Sequence, residues 1–306
     1  MKRKLLLIML SLIFLTNAVK AQEPDDDKPI KIDTLLLTMP LVVKDKNGHN
    51  VTGLKKEDFS IIQNGDKQNI EYFFNEESPM NVAILIDTSA STKEVLDKIQ
   101  KAARDFIKVL RPEDRAIIVS FDYRTLFLSE LTSDKKKLSK AIEQTRVADQ
   151  AGSDVNRAVV QLVNNYFDSF KGRKAIIVLS DGMTLRRDIS TQQTLETLQK
   201  ADTLFYPIVF KTKFYAQARQ RASNNNRKPL PMEMLEFLAT ETTGRFYEKD
   251  AANLKEAFQN IAEELKKQYL LGFYPQNTNT GYLNKNIRIM VDRKDLRIET
   301  KKKWQF

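Results

Sequence analysis

Cysteine is absent from this 306-residue chain. That excludes disulfides, thiolate zinc sites, iron–sulfur clusters and thiol nucleophiles, and leaves stability to the core. Histidine occurs once, as His49, inside a segment that reads as a turn. No Gly-x-Ser-x-Gly accompanies it, so a Ser–His–Asp hydrolase lacks both its base and its nucleophile elbow. A phosphate-binding Gly-x4-Gly-Lys-Ser/Thr loop is missing as well. After residue 21 no stretch is apolar enough to cross a bilayer. A strong charge of one sign is also lacking. The formal charge is +10, but residues 1–21 hold four of the bases (Lys2, Arg3, Lys4, Lys20) and no acids, so the remainder carries +6. Much of that excess lies in Lys135–Lys137 and Lys301–Lys303, without interleaved aromatics. Such runs read as solvated surface charge, and no nucleic-acid partner is expected.

What is present is a globular composition, 42% hydrophobic and 29% charged. The N-terminus stands apart. Lys2, Arg3 and Lys4 precede an apolar run from Leu5 to Leu15. Val19-Lys20-Ala21 then puts small residues three and one before a cut at Gln22. This is the pattern of a secretory signal peptide, too short to span a membrane comfortably, with no cysteine near the cut for a lipid anchor. The mature chain is expected in the periplasm or the medium, with no transmembrane segment after cleavage.

Three regions follow. Residues 22–79 read as a β segment. Ile32 to Val43 is β-rich but broken by Pro40, Asn47-Gly48 and Asn64-Gly65 are hairpin turns, and Phe59–Gln63 and Ile70–Phe74 are short strands. From residue 80 to 265 continuous apolar runs (Val82–Ile86, Ala116–Phe121, Ala175–Leu179, Leu204–Phe210) alternate with helical spacing (Thr92–Leu110, Val155–Phe170, Thr191–Lys200, Leu254–Lys267). That alternation predicts an α/β domain with a doubly wound, mostly parallel sheet covered on both faces. Tyr215 to Leu230, basic and Asn-rich, reads as an exposed insertion, a solvated loop in preference to a partner surface. Residues 266–306 return to β grammar. They are expected to pair with the N-terminal segment as one smaller, sandwich-like β domain split by the α/β domain.

Ile86-Asp87-Thr88-Ser89-Ala90-Ser91 marks the passage from strand to helix. Ligands of open α/β sheets bind outside the carboxyl ends of the strands, and Asp87 falls at one. Asp87, Ser89 and Ser91 are hard oxygen donors, suited to Mg²⁺ or Ca²⁺. Each also has a plainer role: Ser91 with Glu94 makes a capping box, and an Asp at a strand end forms turns. Ser180-Asp181-Gly182 adds a carboxylate at a second strand end, and Gly152-Ser153 adds a hydroxyl at a helix start.

On these residues the chain resembles the von Willebrand factor type A (VWA) family, whose metal-ion-dependent adhesion site (MIDAS) uses Asp-x-Ser-x-Ser, a Thr from a middle loop and a later Asp. Asp87, Ser89, Ser91 and Asp181 match; Ser153 stands at the Thr position, keeping the hydroxyl and losing the methyl. Asp45-Lys46-Asn47-Gly48, Val51-Thr52-Gly53-Leu54 and Tyr269-Leu270-Leu271-Gly272-Phe273-Tyr274-Pro275 are similar to the flanks of exported bacterial members. The resemblance implies a non-enzymatic adhesion or protein-binding module. In it a Mg²⁺ ion (or Ca²⁺ or Mn²⁺), held by Asp87, Ser89, Ser91, Ser153 and Asp181, captures an Asp or Glu of a protein partner. Two rival readings stand beside it. One is a structural component of an envelope complex, with the ion only stabilising the fold. The other is a phosphatase similar to the haloacid dehalogenases, which would need a second Asp where Ser89 stands.

Overall fold

A computed structural model describes residues 36–149, 152–168, 170, 172–183, 188–223, 229–275 and 287–300; the expected signal peptide, Asn224–Asn226 and Lys301–Lys303 lie outside them. Four strands come first: β1 (Leu37–Lys44), β2 (Phe59–Gln63), β3 (Asp66–Gln68) and β4 (Tyr72–Phe74). Next are β5 (Met80–Asp87), α1 (Leu96–Val109), β6 (Arg115–Phe121), β7 (Thr125–Phe127), α2 (Lys135–Glu143), α3 (Val155–Leu162) and β8 (Arg173–Ser180). They are followed by α4 (Thr191–Lys200), β9 (Thr203–Phe210), α5 (Lys213–Ser223), α6 (Leu230–Glu241), β10 (Tyr247–Lys249) and α7 (Leu254–Leu265). β11 (Gln268–Phe273), β12 (Ile287–Val291) and β13 (Arg297–Thr300) come last.

The continuous apolar runs become the central sheet, in the order β10-β9-β8-β5-β6-β7, with β7 the only antiparallel member. Alternate side chains explain why the runs are continuous. Val82, Ile84 and Ile86 of β5 pack under α1, α2 and α7, while Ala83 and Leu85 pack under α3, α4 and α6. A strand covered on both faces has no position left for a polar residue. The chain leaves β5 toward β6 on one side and returns to β8 on the other. The sheet thus reverses direction beside β5, the place where a doubly wound fold opens a crevice. α3 is shorter than its apolar spacing predicts: after Leu162 it passes into a π-helical turn, Val163–Phe167, closed by the Asp168 amide on the Val163 carbonyl at 2.9 Å.

The flanking segments form two further antiparallel sheets, β13-β1-β11-β4 and β12-β2-β3. Each mixes N-terminal with C-terminal strands, and together they enclose one core of Met39, Leu41, Val43, Phe59, Ile61, Tyr269 and Leu271. The Tyr269 ring lies 5.3 Å from that of Phe59, and its hydroxyl donates to the Val51 carbonyl and accepts from the Leu54 amide. Pro40 does not break β1. Its carbonyl faces β13, whose pairing among the described residues begins at Leu41, so the missing N–H interrupts none of the described ladder.

The chain crosses between the two modules twice, at Asn75–Pro79 and after α7. Both crossings meet Arg173, the first residue of β8, which is 2% exposed. Its guanidinium donates to the carbonyls of Asn75, Glu76 and Ser78 and to that of Leu265. Arg111 reaches the Glu76 and Ser78 carbonyls from the other side and is held by Asp114. This staple lies at the N-terminal ends of the strands.

One turn is fixed by lack of space. A β-carbon on Gly244 would stand 2.0 Å from the Phe205 carbonyl oxygen, a backbone atom that cannot swing away. Gly244→Ala is expected to cost about 3 kcal/mol or more and lower the melting temperature by roughly 6–10 °C, read by calorimetry. A loss below about 1 kcal/mol would show that the turn relaxes.

Candidate metal centre

The last residue of β5, Asp87, is fully buried, and so is Asp181, the first after β8. Ser153 is fully buried beside them and Ser89 nearly so; Ser91 is half-buried. The three loops that carry these residues are tied together at the carboxyl edge of the sheet. Ala148 donates its amide to the Thr88 carbonyl at 2.8 Å, and Asp154 donates its own to the Asp122 carbonyl at 2.9 Å. Gly152, at φ 110°, makes the left-handed bend that delivers Ser153. Asp154 then caps α3 through the Arg157 amide at 3.0 Å.

Three donors converge on Asp87. Its Oδ1 accepts from the Ser89 amide at 2.9 Å; its Oδ2 accepts from the hydroxyls of Ser153 at 3.1 Å and Ser180 at 2.6 Å. The Ser89 and Ser91 hydroxyls stand 3.0 Å apart. Asp181 accepts from the Met183 amide at 3.1 Å and from the Thr212 hydroxyl at 2.9 Å. Asp87, Ser89 and Ser153 are thus in direct contact, Ser91 joins through the Ser89 hydroxyl, and Asp181 lies close enough for its charge to act on Asp87. The plainer role of Ser91 is not realised. It lies in a 3-10 turn, Ala90–Thr92, pinned by the Thr92 amide and hydroxyl on the Ser89 carbonyl, and α1 starts only at Leu96. The helix expected from Thr92 therefore begins four residues late, because this turn occupies the segment and sets the Ser91 hydroxyl against that of Ser89.

Two contributors escape a reading of the sequence. Ser180 precedes Asp181 in the same segment but shows its role only when β8 sets it beside β5. Thr212 is 31 residues from Asp181 and carries no motif.

The electrostatics favour a cation. Burial, and then the neighbouring Asp181 charge, push the Asp87 carboxyl up from 3.8 to about 6, against the lowering effect of the Ser180 and Ser89 hydrogen bonds. Among the described residues no Lys or Arg forms an ion pair with either carboxylate; the nearby bases are engaged elsewhere, Arg124 with Asp122 and Lys213 with Glu94. Nor do three or more His, Cys, Asp or Glu cluster among the described residues. Two carboxylates and three serine hydroxyls are the oxygens on offer, and all are hard donors.

The profile of the von Willebrand factor type A domain matches residues 81–260, from β5 into α7. The chain belongs to the VWA family. Among solved structures, this VWA chain is similar to proximal thread matrix protein 1 from the mussel byssus, in a form with a zinc-occupied MIDAS motif. The identity is 14% and the TM-score 0.51, over 64% of this chain and 47% of that one. An aerotolerance-related membrane protein from Bacteroides fragilis aligns at 16% identity and TM-score 0.49, over 61% of this chain and 99% of that one. BatB, a conserved hypothetical protein from Bacteroides thetaiotaomicron, aligns at 18% and 0.46, over 61% and 99%. At these identities the likeness concerns the fold of the VWA part. No curated protein matches the sequence. Among the described residues no helix is long and apolar enough to cross a membrane.

Proposed function

We propose that this VWA domain is the working part of an exported binding protein. In this reading Asp87, Ser89, Ser91, Ser153 and Asp181 hold one divalent cation, Mg²⁺ before Ca²⁺ or Mn²⁺, and a carboxylate of a partner protein completes the site. One observation carries the proposal: two adjacent carboxylates, both fully buried, with no ion pair to a basic side chain among the described residues. Buried charge of one sign is costly unless paired or metal-bound. A cation there supplies the missing positive charge and an open position that attracts an anionic oxygen.

The chain's own groups divide the work. Ser180, Ser153 and the Ser89 amide fix both oxygens of Asp87. Thr212 and the Met183 amide fix those of Asp181. Ser89 and Ser91 hold their hydroxyl oxygens side by side at the less buried end of the site. The signal-peptide pattern at 1–21 supports export to the periplasm or medium. A phosphatase would need a general acid at Ser89, where a serine hydroxyl cannot serve, so binding is the better reading.

The test is retention of a partner from envelope extract on the immobilised mature chain. Retention in Mg²⁺, release by EDTA and loss in Asp87→Ala are expected. Retention indifferent to EDTA would reduce the ion to a structural role and remove the capture step.

A further inference from the structure

A cleft of about 280 Å³ opens where the two modules meet, between the start of β10, the end of α7 and strands β1 and β13. It lies at the β10 edge of the central sheet, three strands from the β5 that carries Asp87. Its wall is polar, and Val42 is the only aliphatic side chain among its described lining residues. Three ion pairs stand around it: Lys44 with Glu299 at 2.6 Å, Arg245 with Glu264 at 3.2 Å and Lys267 with Glu263 at 3.6 Å. Three bases thus meet three acids, and the wall carries no net charge.

Three neutral groups of the wall are left over. Tyr247 is 7% exposed, and its hydroxyl has no hydrogen-bond partner among the described residues. Glu264 acts on it through its charge, but that carboxylate is held by Arg245. Burial and that charge push the phenol up to about 12, so it remains a donor at any ordinary pH. Asn50, set opposite Lys44 by a β-bridge, and Asn260 of α7 also have side chains without a hydrogen bond among the described residues. A buried hydroxyl left unpaired is costly, and in a native cleft it marks a place that a bound molecule completes.

The chemistry of the occupant follows from these groups. An ion would have to break one of the pairs, and a lipid chain would meet a wall with almost no apolar surface. A hydroxyl both donates and accepts. A ligand made of hydroxyls can therefore serve the phenol, the two carboxamides and the spare donors and acceptors of the ion pairs alike. We infer that the cleft between β10, α7 and the small module binds a neutral saccharide of one or two rings, through Tyr247, Asn50 and Asn260. This site is separate from the metal centre and needs no cation. Its ligand touches both modules, so binding also raises the melting temperature of the whole chain.

The experiment is a ligand-observed NMR titration of the full mature chain in EDTA. The panel is glucose, galactose, mannose, N-acetylglucosamine, cellobiose and chitobiose, with glycine, glutamate and lysine as charged ligands of similar size. At least one sugar is expected to bind, with a dissociation constant on the order of 1 mM for one ring and a lower one for two. The amino acids are expected not to bind. Tyr247→Phe removes only the hydroxyl and should weaken the sugar about tenfold. The same variant, empty, should melt at or above the wild type, because its hydroxyl has no partner to lose; a purely structural tyrosine would melt lower. Asn260→Ala, at an exposed position of α7, should weaken the sugar as well. No binding by any sugar of the panel, equal binding of the amino acids, or a sugar affinity indifferent to both substitutions, each overturns the assignment.

Discussion

Mg²⁺ at 100 times its dissociation constant is expected to raise the melting temperature by roughly 5–10 °C, equivalent to ~2.7 kcal/mol, and to do nothing to Asp87→Asn. The apo protein supplies the sharper half of this test. Asp87 titrates at about 6 in the folded chain and at an ordinary 3.8 when unfolded. The folded form therefore binds more protons between those values, and the apo protein loses stability as pH rises through that window. Above pH ~6 the full penalty is present, on the order of 3 kcal/mol. Asp87→Asn removes the charge and keeps the shape. Its amide can donate to Ser153 and Ser180, whose hydroxyls turn to accept. In EDTA at pH 7.5 this variant is expected to melt above the wild type, and at pH 4 the difference should vanish. In Mg²⁺ the order narrows or reverses. A wild type that ignores Mg²⁺, Ca²⁺ and Mn²⁺ alike, and outlasts Asp87→Asn in EDTA, has no such site.

The second large effect belongs to Arg173. Arg173→Met is expected to cost about 3–5 kcal/mol, because it leaves the carbonyls at both crossings between the modules without their charged donor. Burial, with Arg111 beside it, lowers the Arg173 guanidinium to about 10, which still leaves it charged at neutral pH. Lysine keeps the charge but cannot reach Ser78 and Leu265 together, so Arg173→Lys should fall between methionine and wild type. Urea titration reads the loss as a lower midpoint. Because the residue sits at the end of the sheet opposite Asp87, the Mg²⁺ shift should survive in whatever fraction remains folded. A change below about 1 kcal/mol would mean that Arg111 alone holds the crossings.

The α/β core was legible because its signal is local. Val82–Ile86 and Ala175–Leu179 are apolar at every position, and Asp87 and Asp181 stand where those runs stop. Roles that depend on packing were not legible. Ser180 looks like part of a turn until β8 lies against β5, and Thr212 carries no pattern. β3, three polar residues of a hairpin, has no apolar alternation to announce it. α5 was misread as loop since its bases and the following asparagines mask a run of good helix formers, Ala216, Gln217, Ala218 and Ala222. Ser91 shows the reverse case, where a sound local capping pattern yields to the turn that directs its hydroxyl at Ser89.

The pairing of β1 fixes an order of events. Both of its neighbours, β11 and β13, come from the last part of the chain, so Leu41 waits for Tyr269 and Thr300. As the chain emerges N-terminus first, β1 has no partner and β2 has only β3 while the whole VWA domain is made. Their ladder edges stay bare until the final strands appear, and the long closure slows their capture. Completion of the small module is thus the last step of maturation, and a chain cut short before residue 268 carries a finished VWA core with β1 bare and the β2–β3 hairpin open on one edge.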